Sequence, residues 1–328
     1  MALRPARLEP QFVPRIWGAR NLAPLFPEKR SLREPIGEVW LTGNDCHFAD
    51  GPFAGERLGD AWPRMGAEWT GKRTQSNRPF PVLAKFIFPD DKLSVQVHPD
   101  DDYAMRNEAG AGGIGKTEMW YVISARPGAE VRVGLKPEVD AEGFRRAIAD
   151  NSAEDLIERT PVKAGDAIFV PAGTVHTIGP GMVLCEIQQH SDITYRVFDY
   201  HRLDADGKPR DLHIEKAFDV IRFGKQHGGP VSQTRQKTST REISVLADCP
   251  YFAVVKHTLG MSQYSVQAEG HLELFIVLEG SGTLRTQPGD ARISYARADA
   301  WLVPSALRDR AYEPKEPTTM LSVSVPEP

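Results

Sequence analysis

Four polar side chains have the types and positions needed to hold a divalent metal ion. Gln96 and His98 are two residues apart in LSVQVH, and at that spacing in a strand side chains point to the same side. Glu118 opens the next apolar run, EMWYVIS, and His176 follows a turn after DAIFV. Imidazole, carboxylate and amide groups suit zinc, iron or manganese and can leave a position open for water or substrate. We therefore predict a metal site formed by Gln96, His98, Glu118 and His176.

Two of these residues also have an ordinary structural interpretation. His98 precedes Pro99 and fits a loop histidine that is hydrogen-bonded to a carbonyl group. Glu118 fits a surface carboxylate at the start of a strand. The metal site is favoured because all four residues fall at strand ends.

His176 is specified by its whole surrounding pattern. Residues 165–176, GDAIFVPAGTVH, match G-x5-P-x-G-x2-H, the second sequence motif of cupin barrels. In this pattern a strand ends at Pro171, Gly173 permits a tight turn, and the next strand begins with His176 pointing inward.

Residues 110–117, GAGGIGKT, match the phosphate-binding pattern G-x-x-x-x-G-K-[ST] of nucleotide hydrolases. That loop needs a strand before the glycines and a helix that begins at the Lys-Thr pair. Here the preceding PDDDYAMRNEA is acidic and helix-like, whereas the following EMWYVIS favours a strand. We therefore expect no bound nucleotide.

Composition narrows the class of protein. The 328 residues are 41% hydrophobic and 26% charged, which is typical of one large or two ordinary soluble domains. A net charge of −4 gives no indication of nucleic-acid or membrane binding, and no apolar run approaches a membrane span. The first residues, MALRPARLEPQF, lack the apolar core of a secretion signal. Three widely spaced cysteines, Cys46, Cys185 and Cys249, fit a reducing compartment, so we expect a cytoplasmic protein.

The secondary-structure signals are mostly those of short strands. From residue 81 onward, apolar runs such as PVLAKFIF and EVRVGL alternate with turn residues. Helices are predicted for GFRRAIA, SAEDLIERT and residues 211–222, with Asp140, Ser152 and Asp211 as their N-caps. Residues 224–241 are polar and unpatterned, and we interpret them as a linker or crossing segment.

Two parts of the chain resemble each other in the same order. LSVQVH is echoed by YSVQAE, TEMWYVIS by LELFIVLE, and KAGDAIFVPAG by RADAWLVPSA. The fold class is therefore predicted as mainly β, with two cupin-type jelly-roll barrels and a few short inserted helices. We expect a catalytic metal-binding domain over residues 1–240 and a second domain over residues 241–328.

The second copy lacks the metal-binding pattern. Glu269 stands at the position of His98, and Asp309 at that of His176. Glu273 echoes Glu118, but neither His257 nor His271 matches the spacing. We expect this domain to be metal-free and structural.

The chain resembles the type I mannose-6-phosphate isomerases, also called phosphomannose isomerases, in their short bacterial form. The resemblance covers nearly the whole chain and is densest over residues 81–202. The similar segments are Arg15-Ile16-Trp17-Gly18, Pro35-Ile36-Gly37-Glu38, Gln96-Val97-His98-Pro99, Lys116-Thr117-Glu118-Met119-Trp120-Tyr121, Pro171-Ala172-Gly173-Thr174-Val175-His176, Glu186-Ile187-Gln188-Gln189, Ser191-Asp192 and Thr194-Tyr195-Arg196.

The resemblance implies interconversion of mannose 6-phosphate and fructose 6-phosphate with one zinc ion per chain. It places the zinc on Gln96, His98, Glu118 and His176. It implies that the glycines of residues 110–117 deliver Lys116 and Glu118, and that Lys116, Asp192 and Arg196 act on the substrate. The chain departs from the family pattern at Gly112-Gly113, His190 and Ile193.

This reaction moves a proton from C2 to C1 through a cis-enediol. Lys116 and Arg196 can stabilise the developing negative charge, and Lys85 and Arg196 are candidates for binding the phosphate. The proton carrier stays open among Asp192, Glu118, His98 and a metal-bound hydroxide. As alternatives, Lys85 and Lys116 fit ordinary solvated lysines, and Arg196 fits a salt bridge with Asp192 or Asp199.

Two other functions compete with the isomerase. An iron(II) cupin oxygenase would use similar ligands but would not need Lys116 and Arg196 aimed at an anion. A bicupin that only binds a sugar phosphate would lack a reason to keep both cations.

Overall fold

The computed structural model describes residues 3–71, 79–204, 206–224, 228–287 and 291–324. Within these residues the chain is mainly β, with four antiparallel sheets and a few short helices, as predicted. No helix in this part of the chain is long and apolar enough to cross a membrane.

The strands in the first two thirds of the chain lie between residues 6 and 198. They are β1 (Ala6–Leu8), β2 (Gln11–Ala19), β3 (Ile36–Trp40), β4 (Val82–Ile87), β5 (Val95–Val97), β6 (Glu118–Ala125), β7 (Glu130–Leu135), β8 (Ile157–Pro161), β9 (Ala167–Val170), β10 (His176–Ile178), β11 (Met182–Gln189) and β12 (Tyr195–Phe198). The later strands are β13 (Gly229–Pro230), β14 (Thr234–Lys237), β15 (Arg241–Asp248), β16 (Ala253–Leu259), β17 (Tyr264–Gln267), β18 (Glu273–Glu279), β19 (Ser281–Gln287), β20 (Ala291–Ala296), β21 (Ala300–Val303), β22 (Asp309–Pro314) and β23 (Thr318–Ser324).

The helices are short and occur in the segments that connect the strands. The α-helices are α1 (Leu58–Ala61), α2 (Ala67–Thr70), α3 (Asp101–Asn107), α4 (Ala141–Ala149) and α5 (Ile214–Val220). The 3₁₀ helices span Gly51–Phe53, Trp62–Arg64, Ala109–Ala111 and Ala153–Leu156.

The chain forms two compact units, each discontinuous in the sequence. The metal-site unit comprises Phe12–Val39 and Ala84–Val231. The second unit comprises Met1–Gln11, Trp40–Leu83 and Ser232–Pro328. Division of the chain into domains at residues 240 and 241 stays a prediction.

The same strand order occurs twice, which confirms the predicted duplication of a barrel. One seven-stranded sheet has the order β13-β9-β6-β11-β4-β3-β2, and the other has the order β1-β21-β18-β23-β16-β15-β14. The smaller sheets have the orders β12-β5-β10-β7-β8 and β17-β22-β19-β20. The echoed runs therefore occupy equivalent strands, with β5 matching β17, β6 matching β18, and β9 matching β21.

The interior of the second unit is filled differently from what the echoes suggested. Asp309 pairs with Gln267 across β22 and β17, but both side chains are exposed. The next residue, Arg310, is buried, and its Nη1 donates a hydrogen bond of 2.7 Å to Glu273. An arginine–carboxylate ion pair thus lies on the buried face of this copy.

In the metal-site unit, side chains alternate across the five-stranded sheet. Val95 and Val97 pack in an apolar cluster with Phe144 of α4 and Ala217 of α5. Gln96, between the two valines, points to the other face, as its spacing predicts. This alternation directs the polar residue of β5 into the barrel while helices cover the outer face.

The helix predictions are confirmed in part. Asp140 caps α4 by accepting a hydrogen bond from the Gly143 amide, as expected. The helix predicted for SAEDLIERT is wrong beyond Leu156, because residues 157–161 form β8 and pair with β7. The helix predicted for residues 211–222 is shorter and begins at Ile214 after an uncapped turn.

The linker predicted for residues 224–241 is also wrong in part. Residues 229–230 form β13 beside β9, and residues 234–237 form β14 beside β15. The side chains of β14 are all exposed, so its sequence carries no alternation to reveal the strand. Residues 225–227 of the predicted linker lie outside the described residues.

Candidate metal and substrate site

The predicted metal ligands come from three strand ends of the metal-site unit. His176 begins β10 and pairs with Gln96 of β5, whereas His98 follows that strand directly. Glu118 is the first residue of β6 in the other sheet. His98, Glu118 and His176 are buried, with at most 1% of each residue exposed. The structure thus brings together the residues that the sequence predicted.

The ligand atoms are separated by distances that suit one tetrahedral ion. Glu118 Oε1 lies 3.2 Å from His176 Nε2 and 3.6 Å from His98 Nε2. Bonds of the usual length to zinc would place tetrahedral ligand atoms about 3.3 Å apart. Within the described ranges, this is the one group of three or more histidine, cysteine or acidic residues that could hold a metal. The residues present therefore fit a divalent metal.

The Gln96 amide completes the cluster. Its Nε2 lies 3.2 Å from His176 Nε2, while its Oε1 accepts a hydrogen bond from Ser94 Oγ at 3.2 Å. Ligation through oxygen requires the amide to turn over, which brings its oxygen to the position beside His176 Nε2.

Backbone carbonyl groups orient both imidazole rings. His98 Nδ1 donates to the Ile193 carbonyl at 2.8 Å, and His176 Nδ1 donates to the Thr174 carbonyl at 2.9 Å. With the proton on Nδ1, each Nε2 presents its lone pair to the cluster. Metal-binding histidines in proteins usually have such a partner on the other ring nitrogen.

The electrostatics of the cluster favour the ligating forms of these groups. Burial, together with the nearby Lys116 ammonium, lowers the pKa of His98 to about 3. Burial also lowers the pKa of His176. Although burial opposes ionisation of Glu118, Lys116 and His98 hold its pKa well below the usual value. Neutral imidazoles beside an ionised carboxylate are ready to bind a metal without releasing protons.

The turn before His176 has the geometry predicted for it. Gly173 has a φ of +84°, a left-handed conformation that favours glycine. A Cβ there would lie 2.8 Å from the Val220 carbonyl oxygen, and the Gly173 amide donates to the His98 carbonyl at 2.8 Å. The glycine therefore allows the turn to lie against the strand end that carries His98.

The glycine-rich loop is not built as a nucleotide-binding loop. Helix α3 precedes it and strand β6 begins directly after Thr117, the reverse of the required order. A Cβ on Gly115 would lie 2.5 Å from the Asp101 amide nitrogen, so only glycine permits this approach to α3. The Lys116 amide donates to the Pro99 carbonyl at 2.9 Å, which holds Lys116 beside the histidine strand.

Lys116 points into the metal cluster. Its Nζ lies 3.1 Å from His98 Nε2 and 3.3 Å from Glu118 Oε2, and the residue is 4% exposed. The alternative interpretation of Lys116 as a solvated loop lysine is wrong, because its ammonium group is buried. Because a metal would need the same ligand atoms, metal binding and these Lys116 contacts compete.

A cavity of about 590 Å³ connects the cluster to the other predicted site residues. Its lining includes the predicted residues Lys85, Gln96, Lys116, Asp192 and Arg196. It also includes residues that the sequence did not single out for this role, namely Arg15, Glu38, Glu186, Asp204, Arg210 and His213.

Lys85 is held in a buried network of charges. Its Nζ lies 3.1 Å from Glu186 Oε1 and 3.7 Å from Glu38 Oε1, and Arg15 donates to Glu38 at 2.8 Å. Although burial disfavours the ammonium, the two carboxylates raise the pKa of Lys85. Lys85 is 2% exposed, so it is neither a solvated lysine nor a free cation at the cavity mouth.

Glu186 is a further acid in this cavity. It lies in the middle of the apolar strand MVLCEIQQ. An isolated carboxylate in such a strand is unusual, and this feature of the sequence could have marked Glu186 as a functional residue. Burial raises the pKa of Glu186, with the Lys85 ammonium opposing the rise. The residue is therefore suited to exchange protons nearer neutral pH than an ordinary glutamate.

Replacement of Lys85 with methionine should destabilise the protein by about 1–3 kcal/mol at neutral pH, the cost of a buried polar group left without its partner. The loss stays moderate because Glu186, whose pKa is already raised, can take up a proton. Denaturant unfolding of Lys85→Met beside the exposed-lysine control Lys163→Met measures the difference. Equal stability of the two variants would contradict the described network.

Arg196 lies next to the metal cluster through strand pairing. It is opposite Gln96 between β12 and β5, and its Nη1 donates to the Asp211 carbonyl at 2.9 Å. Its Nε is buried without a hydrogen-bond partner. Among the described residues, no carboxylate lies within ion-pair distance of Arg196, and Asp199 pairs instead with Arg202 and Arg210.

Comparisons with known proteins identify relatives of the whole chain. No protein-family model matches the chain. Mannose-6-phosphate isomerase from Streptococcus mutans is 36% identical over 315 residues, which cover 94% of this chain and 95% of that protein. The crystal structure of mannose 6-phosphate isomerase from Bacillus subtilis superposes with a TM-score of 0.88 at 30% identity, covering 98% of this chain and all of that one. A mannose 6-phosphate isomerase solved in its zinc-bound form shares the fold, with a TM-score of 0.72 at 15% identity over 98% of this chain and 99% of that chain.

Proposed function

The chain belongs to the mannose-6-phosphate isomerase family, and from that premise we propose that its buried cluster and cavity interconvert mannose 6-phosphate and fructose 6-phosphate with the help of zinc. The observation that carries the proposal is the preformed set of Gln96, His98, Glu118 and His176 beside a cavity lined by cations. The reaction is an aldose–ketose isomerisation, and the substrate is a small sugar phosphate.

We assign one zinc ion per chain to the four ligands. The spacing of the ligand atoms and the neutral state of both imidazoles support this assignment. The related enzyme solved with zinc carries the same metal on the same fold. When bound, zinc would polarise the substrate oxygens at C1 and C2 as a Lewis acid.

Lys116 and Arg196 supply positive charge where the enediolate develops. Lys116 already lies within 3.3 Å of the ligand atoms, and Arg196 stands opposite Gln96 on the neighbouring strand. Fixed cations in a water-poor cavity stabilise a developing oxyanion more than they stabilise the neutral sugar. Such differential stabilisation raises the turnover number.

Fewer groups remain as candidates for the proton carrier when those with other roles are set aside. His98 and Glu118 serve as ligands, and their ring and carboxylate atoms face the cluster. Two of the four carboxyl groups that line the cavity are held by other partners, Glu38 by Arg15 and Lys85 and Asp204 by the amides of its own loop. The other two are Asp192, which is exposed, and Glu186, which is buried with a raised pKa. We assign the transfer between C2 and C1 to one of these two carboxyl groups.

Lys116→Ala should lower the turnover number by about 10–10², since it removes one charge aimed at the reacting oxygens. Metal content should stay equal or rise, because the ammonium no longer competes for His98 and Glu118. Steady-state kinetics and metal analysis, with the exposed Lys163→Ala as control, measure both effects. Tight magnesium-dependent ATP binding by the native protein, lost in Lys116→Ala, would instead restore the nucleotide interpretation.

Coupled assays on a panel of sugars test the substrate. Conversion of mannose 6-phosphate to fructose 6-phosphate is expected, without oxygen consumption. Oxygen uptake by iron-loaded protein would favour the cupin oxygenase. Sugar-phosphate binding without turnover in the zinc-loaded protein would favour a non-catalytic role.

A further inference from the structure

The proposed function needs a group that binds the phosphate of the substrate, and the inference below rests on that function. Lys85 does not meet the need, since Glu186 and Glu38 already balance its charge. Lys116 lies at the metal cluster, the end of the sugar where C1 and C2 react. The phosphate is on C6, at the opposite end of the sugar from C1 and C2. The residues that bind it must therefore lie elsewhere in the cavity.

Two further residues of the cavity lining, His213 and Arg210, lie near Arg196. The His213 amide donates to the Arg196 carbonyl at 2.8 Å, and the Arg196 amide donates to His213 Nδ1 at 3.3 Å. Since Nδ1 accepts, the proton of the neutral His213 ring is on Nε2, which is thereby a donor. Arg196 therefore has Gln96 as its neighbour through strand pairing and His213 as its neighbour through hydrogen bonds.

Arg210 is the second of these residues, and it shares its carboxylate partner, Asp199, with Arg202. Its Nε donates to Asp199 Oδ2 at 2.6 Å, and its Nη2 bonds to Asp199 Oδ1. Asp199 is shared with Arg202, whose Nη2 lies 2.6 Å from the same Oδ1. Arg202 also lies 3.2 Å from Asp91, whereas Arg196 has no carboxylate within ion-pair distance among the described residues. Three guanidinium groups therefore share two carboxylates, and positive charge is in excess where Arg196 and Arg210 line the cavity.

Asp204 also lines the cavity, but its carboxylate accepts hydrogen bonds from its own loop. Asp204 Oδ1 accepts hydrogen bonds of 2.9 Å from the amides of Asp206 and Lys208. The positive field also acts on Arg196, whose pKa is lowered by burial and by the neighbouring Arg210. An anion placed among these groups would relieve that repulsion.

We propose that Arg210 and His213 bind the phosphate group of the substrate and thereby select phosphorylated sugars. A guanidinium group and an imidazole N–H provide directional donors for phosphate oxygens. Arg196, between them and the metal ligands, lies along the sugar and acts on the reacting oxygens.

The test compares Arg210→Met with Arg202→Met in the zinc-loaded protein. Both variants remove one partner of Asp199, but the Arg202 guanidinium points to Asp91 and to the Lys92 carbonyl. Arg210→Met should raise KM for mannose 6-phosphate about 10–100-fold, the loss expected for a hydrogen-bonded charge, with kcat nearly unchanged. The inhibition constant of inorganic phosphate should rise in parallel, and Arg202→Met should leave both constants within about twofold.

Further readouts separate phosphate binding from structural support. Any slow turnover of unphosphorylated mannose should be equal in the native enzyme and in Arg210→Met. Arg210→Lys should rescue KM in part, since it keeps the charge but loses the planar fork. A native KM and native phosphate inhibition in Arg210→Met would overturn the assignment, and so would equal losses in Arg202→Met.

Failure of the proposed function would look different. If the native zinc protein does not isomerise mannose 6-phosphate, calorimetric titration with inorganic phosphate still tests the site. Binding that weakens in Arg210→Met but not in Arg202→Met would support an anion site without the isomerase. Phosphate binding that neither substitution affects would overturn the site itself.

Discussion

Replacing His176 with alanine is expected to remove the bound metal and the isomerase activity together. His176 and His98 are the two nitrogen ligands of the proposed metal site, and a site of this kind rarely keeps its ion after losing one of them. Activity should fall at least about 10³-fold, because polarisation of the substrate oxygens by a metal is worth several kcal/mol. Metal analysis by mass spectrometry and a coupled assay on mannose 6-phosphate measure both losses.

The control for this substitution is His271→Ala. His271 is in the second unit, with 32% of its side chain exposed, and it lies outside the cluster. It should keep native zinc content and turnover. His176→Ala should still melt near the temperature of the metal-free native protein, because Lys116 continues to balance the charge of Glu118. A His176→Ala protein with full zinc and native activity would exclude His176 from the ligand set.

Replacing Arg196 with alanine should lower kcat by about 10²–10³, the loss seen when a single oxyanion-stabilising donor is removed. Arg196 is opposite Gln96 across the sheet, lines the cavity and has an Nε without a hydrogen-bond partner, so its guanidinium can respond to charge that forms only in the transition state. KM should change less than kcat for the same reason. Arg196→Lys should restore part of the rate if charge alone matters.

The same variant distinguishes three roles for Arg196. A rise in KM with native kcat would make it a phosphate ligand, the role we give to Arg210. Early melting with loss of zinc would make it a structural residue, since its Nη1 also supports the Asp211 carbonyl. A stable, zinc-loaded variant with native kcat would remove Arg196 from the catalytic set. Steady-state kinetics, melting temperature and zinc content together decide among these outcomes.

The clustering of the proposed metal-site residues could be predicted because short-range geometry fixes their positions. Alternation in a strand places Gln96 and His98 together, and the turn at Gly173 positions His176 at the next strand start. The duplicated order of strands could be predicted for a similar reason, since each echoed run keeps its place in the sheet.

The remainder of the site depends on contacts between distant segments. The network of Arg15, Glu38, Lys85 and Glu186 joins four strands, and no local pattern reveals which strands will be neighbours. Arg210 and His213 reach the cavity through an irregular segment whose path is set by Asp199 and Arg196.

Alternation also shows which residues share a face without showing which face is inside. In the second unit the echo with the first copy places Asp309 at the position of His176, yet Asp309 is exposed and the next residue, Arg310, is buried. The prediction that Asp211 caps the last helix failed for a related reason. The Asp211 carbonyl accepts from Arg196, and the chain enters α5 only at Ile214.

The central claim is that zinc on Gln96, His98, Glu118 and His176 is required for isomerisation of mannose 6-phosphate. The most direct test is a titration of chelator-treated protein with zinc, followed by zinc analysis and by the rate of fructose 6-phosphate formation. We expect no activity in the metal-free protein and a linear return of activity that ends at one zinc per chain. Full activity in protein shown to be free of metal would contradict it.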